Sequence, residues 1–167
     1  MKVLLFRVDD RLIHGQVILG WGRRFRPQRL IVVDDRIAGD PWERELLGSA
    51  APPEVAAEFL SVGAAARALR ADGGPETAFV LLETPRSAVR LAEAGYVVPE
   101  LNLGGLHREG GLRLTAYLFL SPDDVAAVRA LHAAGTRVYA QDVPDARRLA
   151  LEDLLREQET PLRREAR

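Results

Sequence analysis

Apolar residues in this chain arrive in short unbroken runs that stop abruptly at charged residues or glycine. Val3–Val8 (VLLFRV), Leu30–Val33 (LIVV), Ala78–Leu82 (AFVLL), Leu101–Leu103 and Arg137–Ala140 are of this kind. Each is too short for an ordinary helix and, apart from Arg7, Asn102 and Arg137, is apolar rather than alternating, as in strands buried on both faces. Between them the spacing changes to that of helices. Gly15 to Phe25 carries Val17, Ile18 and Trp21 at helical intervals, and Pro41–Ser49 places Trp42, Leu46 and Leu47 on one face behind an initial proline. Pro52–Pro53 interrupts the chain before a weaker strand at Ala57–Val62. Ala64–Ala71 and Pro85–Ala94 read as further helices, and Leu112–Leu120 as a longer strand. Ser121-Pro122-Asp123-Asp124 has the form of a helix start, with serine as cap and acids in the first turn. That helix ends near Gly135, and Asp145–Arg156 is the last one.

Strands alternating with helices predict a single α/β domain: an open, mainly parallel sheet with helices on both faces. The domain is expected over residues 1–156, with 157–167 as a charged, frayed tail. At 167 residues and 47% hydrophobic content the chain can build a substantial core. A net charge of -1 gives no general attraction to nucleic acid or anionic membrane. The absence of cysteine removes disulfides, thiolate metal sites and thiol nucleophiles. No run approaches the length of a membrane span and the first residues enter a strand at once, so the expectation is a cytoplasmic protein. Because Lys2 is the single lysine among 23 basic residues, an isolated arginine is weak evidence of function.

In open α/β sheets, ligands gather at the carboxyl ends of the strands. Those ends carry Asp9–Asp10, Asp34–Asp35, Glu83–Thr84 and Gly104–Gly105, and the loop after the first strand adds His14 just before a helix. A helix start offers unsatisfied N–H groups to an anion, and Arg11 could add a planar guanidinium suited to phosphate oxygens. A neutral imidazole is nucleophilic near pH 7 and leaves readily afterwards, which suits it to carry a phosphoryl group. These residues suggest a phosphate-handling histidine without naming its donor. The plainer reading of the same loop is a turn histidine among solvated charges.

The stretch from Arg7 to Val17 (RVDDRLIHGQV) resembles the active-site signature of the IIB component of the mannose/fructose/sorbose family of the sugar phosphotransferase system. The likeness continues in order through LIVVDDRIAGD (30–40), AAPPEV (50–55), LLETP (81–85), LNLGGL (101–106) and SPDD (121–124). It implies that His14 accepts a phosphoryl group, at the ring nitrogen nearer the backbone, from the phosphohistidine of a IIA domain. The group then passes to a sugar entering through the membrane components IIC and IID. By the same resemblance Arg11, Asp9 and Asp10 assist His14, one aspartate fixing the arginine or the imidazole tautomer. Arg7, Gly15, Gln16, Thr84, Gly104 and Gly105 would bind the phosphoryl group. No metal or cofactor is implied, and the protein would be cytoplasmic, peripherally associated with its transporter. Two departures from the family pattern concern the partner surface and sugar class: Thr84 stands where asparagine is frequent, and GWGRRFRP surrounds Trp21.

Other readings carry less. A IIB-like domain that reports on phosphotransfer without feeding a transporter is the nearest alternative. A receiver-like module would share the acidic pair and Thr84 but needs a lysine beside its acyl phosphate, and Lys2 is misplaced for that. Asp9, Asp10 and His14 make a poor metal set. His107, in a glycine-flanked loop that could fold over the site, reads as a mobile surface residue, and His132 as a helix-surface residue. Trp21 and Trp42 read as packing residues.

Overall fold

The computed structural model describes residues 1–71 and 73–165. Its main sheet has seven strands: β1 (Lys2–Val8), β2 (Arg29–Val33), β3 (Ala56–Leu60), β4 (Thr77–Leu82), β5 (Glu100–Leu103), β9 (Arg137–Ala140) and β10 (Leu149–Ala150). They lie in the order β10-β9-β5-β1-β4-β2-β3 and are parallel except for β10, which runs antiparallel to β9 at one edge. β1 is central, flanked by β4 and β5, so the chain crosses over β1 between those two strands. The carboxyl end of β1 therefore opens into the crevice where such sheets hold ligands.

The apolar runs are explained by burial on both faces. Phe6, Val8, Ile31, Val33, Val80 and Leu82 point to one core, and Leu5, Leu30, Val32, Phe79 and Leu81 point to the other. The first core is closed by α4 (Val62–Arg70), α5 (Pro85–Glu93), α6 (Pro122–Ala133) and α7 (Leu151–Glu165). The second is closed by Val17 and Trp21 of α1 and by Ile37 of α2 (Asp35–Gly39). Helix α1 is wound as a π-helix over Gln16–Gly22 and continues as α-helix over Arg23–Phe25. Ser121 caps α6 reciprocally: its hydroxyl accepts from the Asp124 N–H while the Asp124 carboxylate accepts from the Ser121 N–H.

Several sequence expectations need correction. Leu112–Leu120 is not one strand. It folds back as β7 (Leu112–Arg113) and β8 (Leu118–Leu120), which join β6 (Leu106–His107) in a second, three-stranded sheet. The turn is held by Leu114 N donating to Leu118 O at 2.9 Å and Tyr117 N donating to Thr115 Oγ1 at 3.3 Å. The last helix begins at Leu151, not Asp145, because Gln141 Nε2 donates to the Pro144 and Ala146 carbonyls and holds that segment as a loop. The helix is described as far as Glu165, beyond Arg156.

Trp42 is 70% exposed and Leu46 59%, although both read as packing positions on α3 (Pro41–Gly48). This helix meets the core through Leu47, and Trp42 lies five residues earlier, about 140° around the helix. Among the described residues no helix is long and apolar enough to cross a membrane.

Candidate functional site

The site begins with a buried charge pair. Arg7, the penultimate residue of β1, points to the same face as Leu5 and is completely buried. Desolvation of a guanidinium is costly unless each N–H finds a partner, and here most do. Nη1 donates to Asn102 Oδ1 at 2.6 Å and to the Gln141 carbonyl at 3.1 Å, and Nη2 donates to Asp9 Oδ2 at 2.8 Å. The guanidinium carbon also stands 5.4 Å from the centre of the Trp21 ring. The Trp21 indole in turn donates to the Asp142 carbonyl at 2.9 Å. Gly104 is required here, since a Cβ on it would lie 2.2 Å from the Arg7 guanidinium.

Asp9 distributes this charge to the loop. It is almost fully buried; Oδ2 accepts from Arg7 and from the Gly105 N–H at 3.1 Å. Oδ1 accepts from both the backbone N–H and the Nε of Arg11 at 3.2 Å. Burial pushes the Asp9 carboxyl up, but Arg7, His14 and the backbone donors of Gly105 and Arg11 together hold it below the usual carboxylate range. Burial lowers the pKa of Arg7 against the opposing pull of Asp9.

The loop residues converge on this carboxylate. The loop turns through Leu12, whose φ of 53° is left-handed, and both Leu12 and Ile13 are anchored in the second core. That anchoring turns His14 inward: its side chain is 15% exposed and Nε2 lies 3.7 Å from Asp9 Oδ2, an ion-pair distance longer than a hydrogen bond. Nε2 is shielded from solvent and has no hydrogen-bond partner among the described residues. On the other side of the ring, Nδ1 stands 3.0 Å from the Leu12 carbonyl oxygen. Arg11 is 47% exposed and its Nη2 donates to Gln16 Oε1 at 3.1 Å. Gly15 is exposed, with open space where a side chain would stand.

Asp10 serves a different partner. Its carboxylate accepts from the His107 N–H at 2.8 Å and faces His107 Nδ1 at 3.2 Å, while its own N–H donates to the Gly105 carbonyl at 2.9 Å. The geometry thus separates the two aspartates: Asp9 faces Arg7, Arg11 and His14, and Asp10 faces His107.

Nine of the ten residues singled out in the sequence meet in this network or border it: Arg7, Asp9, Asp10, Arg11, His14, Gly15, Gln16, Gly104 and Gly105. Arg7, however, is enclosed and hydrogen-bonded under Asp9 instead of facing the opening. Thr84 points elsewhere: its hydroxyl lies 3.5 Å from Ser87 Oγ, and it lines a groove with Arg86, Arg108, Ser121 and Asp124. His132 is on the surface of α6, its Nδ1 2.6 Å from Glu152 Oε1. Asn102 and Gln141 were not singled out. Their signal is a polar residue inside or just after an apolar strand, which must find a buried partner.

The chain matches the family model described as the PTS system sorbose subfamily IIB component over residues 3–166. It is 35% identical to the sorbose-specific EIIB component of Lacticaseibacillus casei over 143 residues, covering 83% of this chain and 85% of the relative. It is also 35% identical to the fructose-specific EIIB component of Bacillus subtilis over 148 residues, covering 86% and 90%. The solved IIB domain of the sorbose permease from Klebsiella pneumoniae superposes with a TM-score of 0.82 at 32% identity, covering 94% of this chain and 98% of that one.

Proposed function

Since the chain belongs to the sorbose subfamily of the IIB components of the sugar phosphotransferase system, we propose that His14 is the residue that carries its phosphoryl group. The observation that carries this reading is an imidazole set against a buried Arg7–Asp9 pair, with a half-exposed arginine beside it, in a chain without cysteine. With no thiol to act as nucleophile, a ring nitrogen is the group of this loop that both accepts and releases phosphate near neutral pH.

The resting ring is held at Nδ1: this nitrogen stands 3.0 Å from the Leu12 carbonyl oxygen, which only accepts, and so carries the proton. Asp9 Oδ2, 3.7 Å from Nε2 and beyond hydrogen-bond range, favours a proton on Nε2 once the ring leaves Leu12. For Nδ1 to act, the ring must therefore turn off Leu12 as the donor arrives, the Nδ1 proton passing to solvent while Nε2 takes one up beside Asp9. In the transfer, the phosphorus–nitrogen bond of the phosphorylated IIA domain breaks and one forms between phosphorus and His14 Nδ1. The donor imidazole recovers its electron pair, and His14 keeps its proton on Nε2. Arg11 meets the phosphoryl oxygens with paired N–H donors, and the Gly15 and Gln16 amides border the same opening. Gly105 leaves space beside Arg11 by lacking a side chain, and Gly104 leaves space for the Arg7 guanidinium beneath. Arg7 holds Asp9 in place instead of touching phosphate.

In the onward step a sugar hydroxyl attacks phosphorus, the bond to Nδ1 breaks, and the hydroxyl proton passes to water. The partners in this reading are the IIA donor and the membrane components IIC and IID that present the sugar, with this domain acting at the cytoplasmic face of the membrane. The first step, from the IIA domain to His14, requires neither nucleotide nor metal, because its donor and acceptor are both imidazoles.

The experiment is to load the chain from a phosphorylated IIA domain, then expose halves of the sample to acid and to alkali. Label lost in acid, stable in alkali and absent from His14→Gln is expected. Label that persists in His14→Gln, or that alkali removes, overturns the assignment.

A further inference from the structure

His107 is held more firmly than a glycine-flanked loop suggests. It belongs to β6, where Leu106 is fully buried and its N–H donates to the Tyr117 carbonyl at 3.0 Å, and where His107 pairs in register with Phe119. Three further contacts join it to the phosphoryl loop: His107 N–H to Asp10 Oδ2 at 2.8 Å, Asp10 N–H to Gly105 O at 2.9 Å, and the ring Nδ1 at 3.2 Å from Asp10 Oδ2. A carboxylate only accepts, so Asp10 places the proton on Nδ1 and leaves the Nε2 edge of a half-exposed ring to face outward.

Gly105 shows where that ring lies. A Cβ on it would stand 2.8 Å from Arg11 Nη2, 3.0 Å from His107 Cε1 and 3.4 Å from Asp9 Oδ1. The His107 ring, the Arg11 guanidinium and the carboxylate that faces His14 thus surround one glycine. Cε1 is the ring atom between the two nitrogens, so the edge nearest Arg11 also leads to the free nitrogen.

We propose that His107 is a second phosphoryl-binding residue, which takes up a proton on Nε2 when His14 is phosphorylated and donates it to a phosphoryl oxygen beside Arg11. This rests on the reading of His14 given above. The proton comes from solvent, Nδ1–H stays on Asp10, and no covalent bond to His107 forms. The charged groups around the ring are Asp10, Arg11, and Asp9 across Gly105, with Arg108 next in the chain and Arg113 on the adjoining strand pair. Arg108 is engaged with Asp124, and Arg113 lies over Phe119. A phosphoryl dianion arriving between Arg11 and His107 stabilises the imidazolium. Phosphorylation must therefore raise the pH at which His107 titrates, and a raised pH must in turn disfavour phosphorylation.

The test follows the ring nitrogens of His107 by NMR in the full chain across the neutral pH range, before and after loading from a phosphorylated IIA domain. It is accompanied by phosphoryl uptake in wild type, His107→Gln and His107→Ala. The midpoint of His107 is expected to rise on loading. Both variants should still be labelled on His14, but about fivefold more slowly, with a weaker decline of the phosphorylated fraction as pH rises. Label on His14 with an unmoved His107 midpoint, or variants within twofold of wild type, overturns this inference alone. A wild-type chain that takes no label on His14 overturns the functional reading itself. The NMR measurement needs no substitution, so it decides the matter even if a variant folds poorly.

Discussion

Replacing Arg7 with methionine asks whether the buried arginine is the support of Asp9 or part of the surface that meets phosphate. Arg7 has no exposed surface, and its Nη atoms are engaged by Asp9, Asn102 and the Gln141 carbonyl. Methionine keeps much of the volume over Trp21 and removes the charge. Asp9 is then left buried with only backbone donors and Arg11, and breaking a buried pair in this way removes roughly 3–5 kcal/mol of stability, a large share of the ~5–15 kcal/mol typical of a domain. The loss must depend on pH. In the wild type the Asp9 carboxyl is held below its unfolded value. Its stabilisation is therefore present above the unfolded pKa and disappears as pH falls through the lowered one. In the variant the upward push of burial is no longer opposed by Arg7, so stability falls as pH rises past the carboxylate range. The two proteins should differ most near neutral pH, and the gap should close only as pH falls below the carboxylate range. Urea unfolding followed by Trp21 fluorescence in a Trp42→Phe background measures this, because Trp42 is exposed and Trp21 is enclosed. Arg7→Met/Asp9→Leu should recover part of the loss, since neither charge is then stranded. A loss below about 1 kcal/mol that is the same at neutral and acidic pH would refute the scaffold assignment.

The remaining predictions address separate links. Arg11→Lys should slow phosphoryl uptake by about tenfold or more, on the order of 1.4 kcal/mol in the barrier, with an unchanged urea midpoint because the side chain is half exposed; uptake within twofold of wild type would make Arg11 a surface charge. Gly104→Ala should lower stability by roughly 1–3 kcal/mol, because the new methyl lies 2.2 Å from a guanidinium pinned by its hydrogen bonds, and an unchanged melting curve would contradict the packing described. Ser121→Ala should remove about 1 kcal/mol by breaking the reciprocal cap on α6, measured by thermal unfolding.

The β1, β2 and β4 strands were legible because burial on both faces writes an unbroken apolar run, and α6 because its cap is spelled out by Ser121, Pro122 and Asp124. The β6–β7–β8 sheet was not. Its strands are two or three residues long, and the turn at Thr115–Tyr117 looks like the middle of one strand. Helix α2 is likewise only five residues long, too short to show a period, and its sign was the Asp34 cap accepting from the Ile37 N–H. At the site, the loop from Asp9 to Gln16 was visible as clustered chemistry, but the division of labour between Asp9 and Asp10 depends on where β5 and β6 place Gly105 and His107. Arg7 was read from the sequence as a phosphoryl-binding residue, but its burial is not legible there, because it follows from Asn102 and Gln141, which lie 95 and 134 residues away. Thr84 shows the opposite limit: a residue at the correct strand end can still turn its hydroxyl into a neighbouring groove.

The central claim is that His14 takes the phosphoryl group on Nδ1 after leaving Leu12, with the proton on Nε2 beside Asp9. Nitrogen-15 and phosphorus-31 NMR of the chain with labelled histidine, loaded from a phosphorylated IIA domain, reads this directly. The account predicts a single phosphohistidine, with phosphorus bonded to Nδ1 of His14 and hydrogen retained on Nε2. Phosphorus on Nε2, on His107 or His132, or on a carboxylate would contradict it.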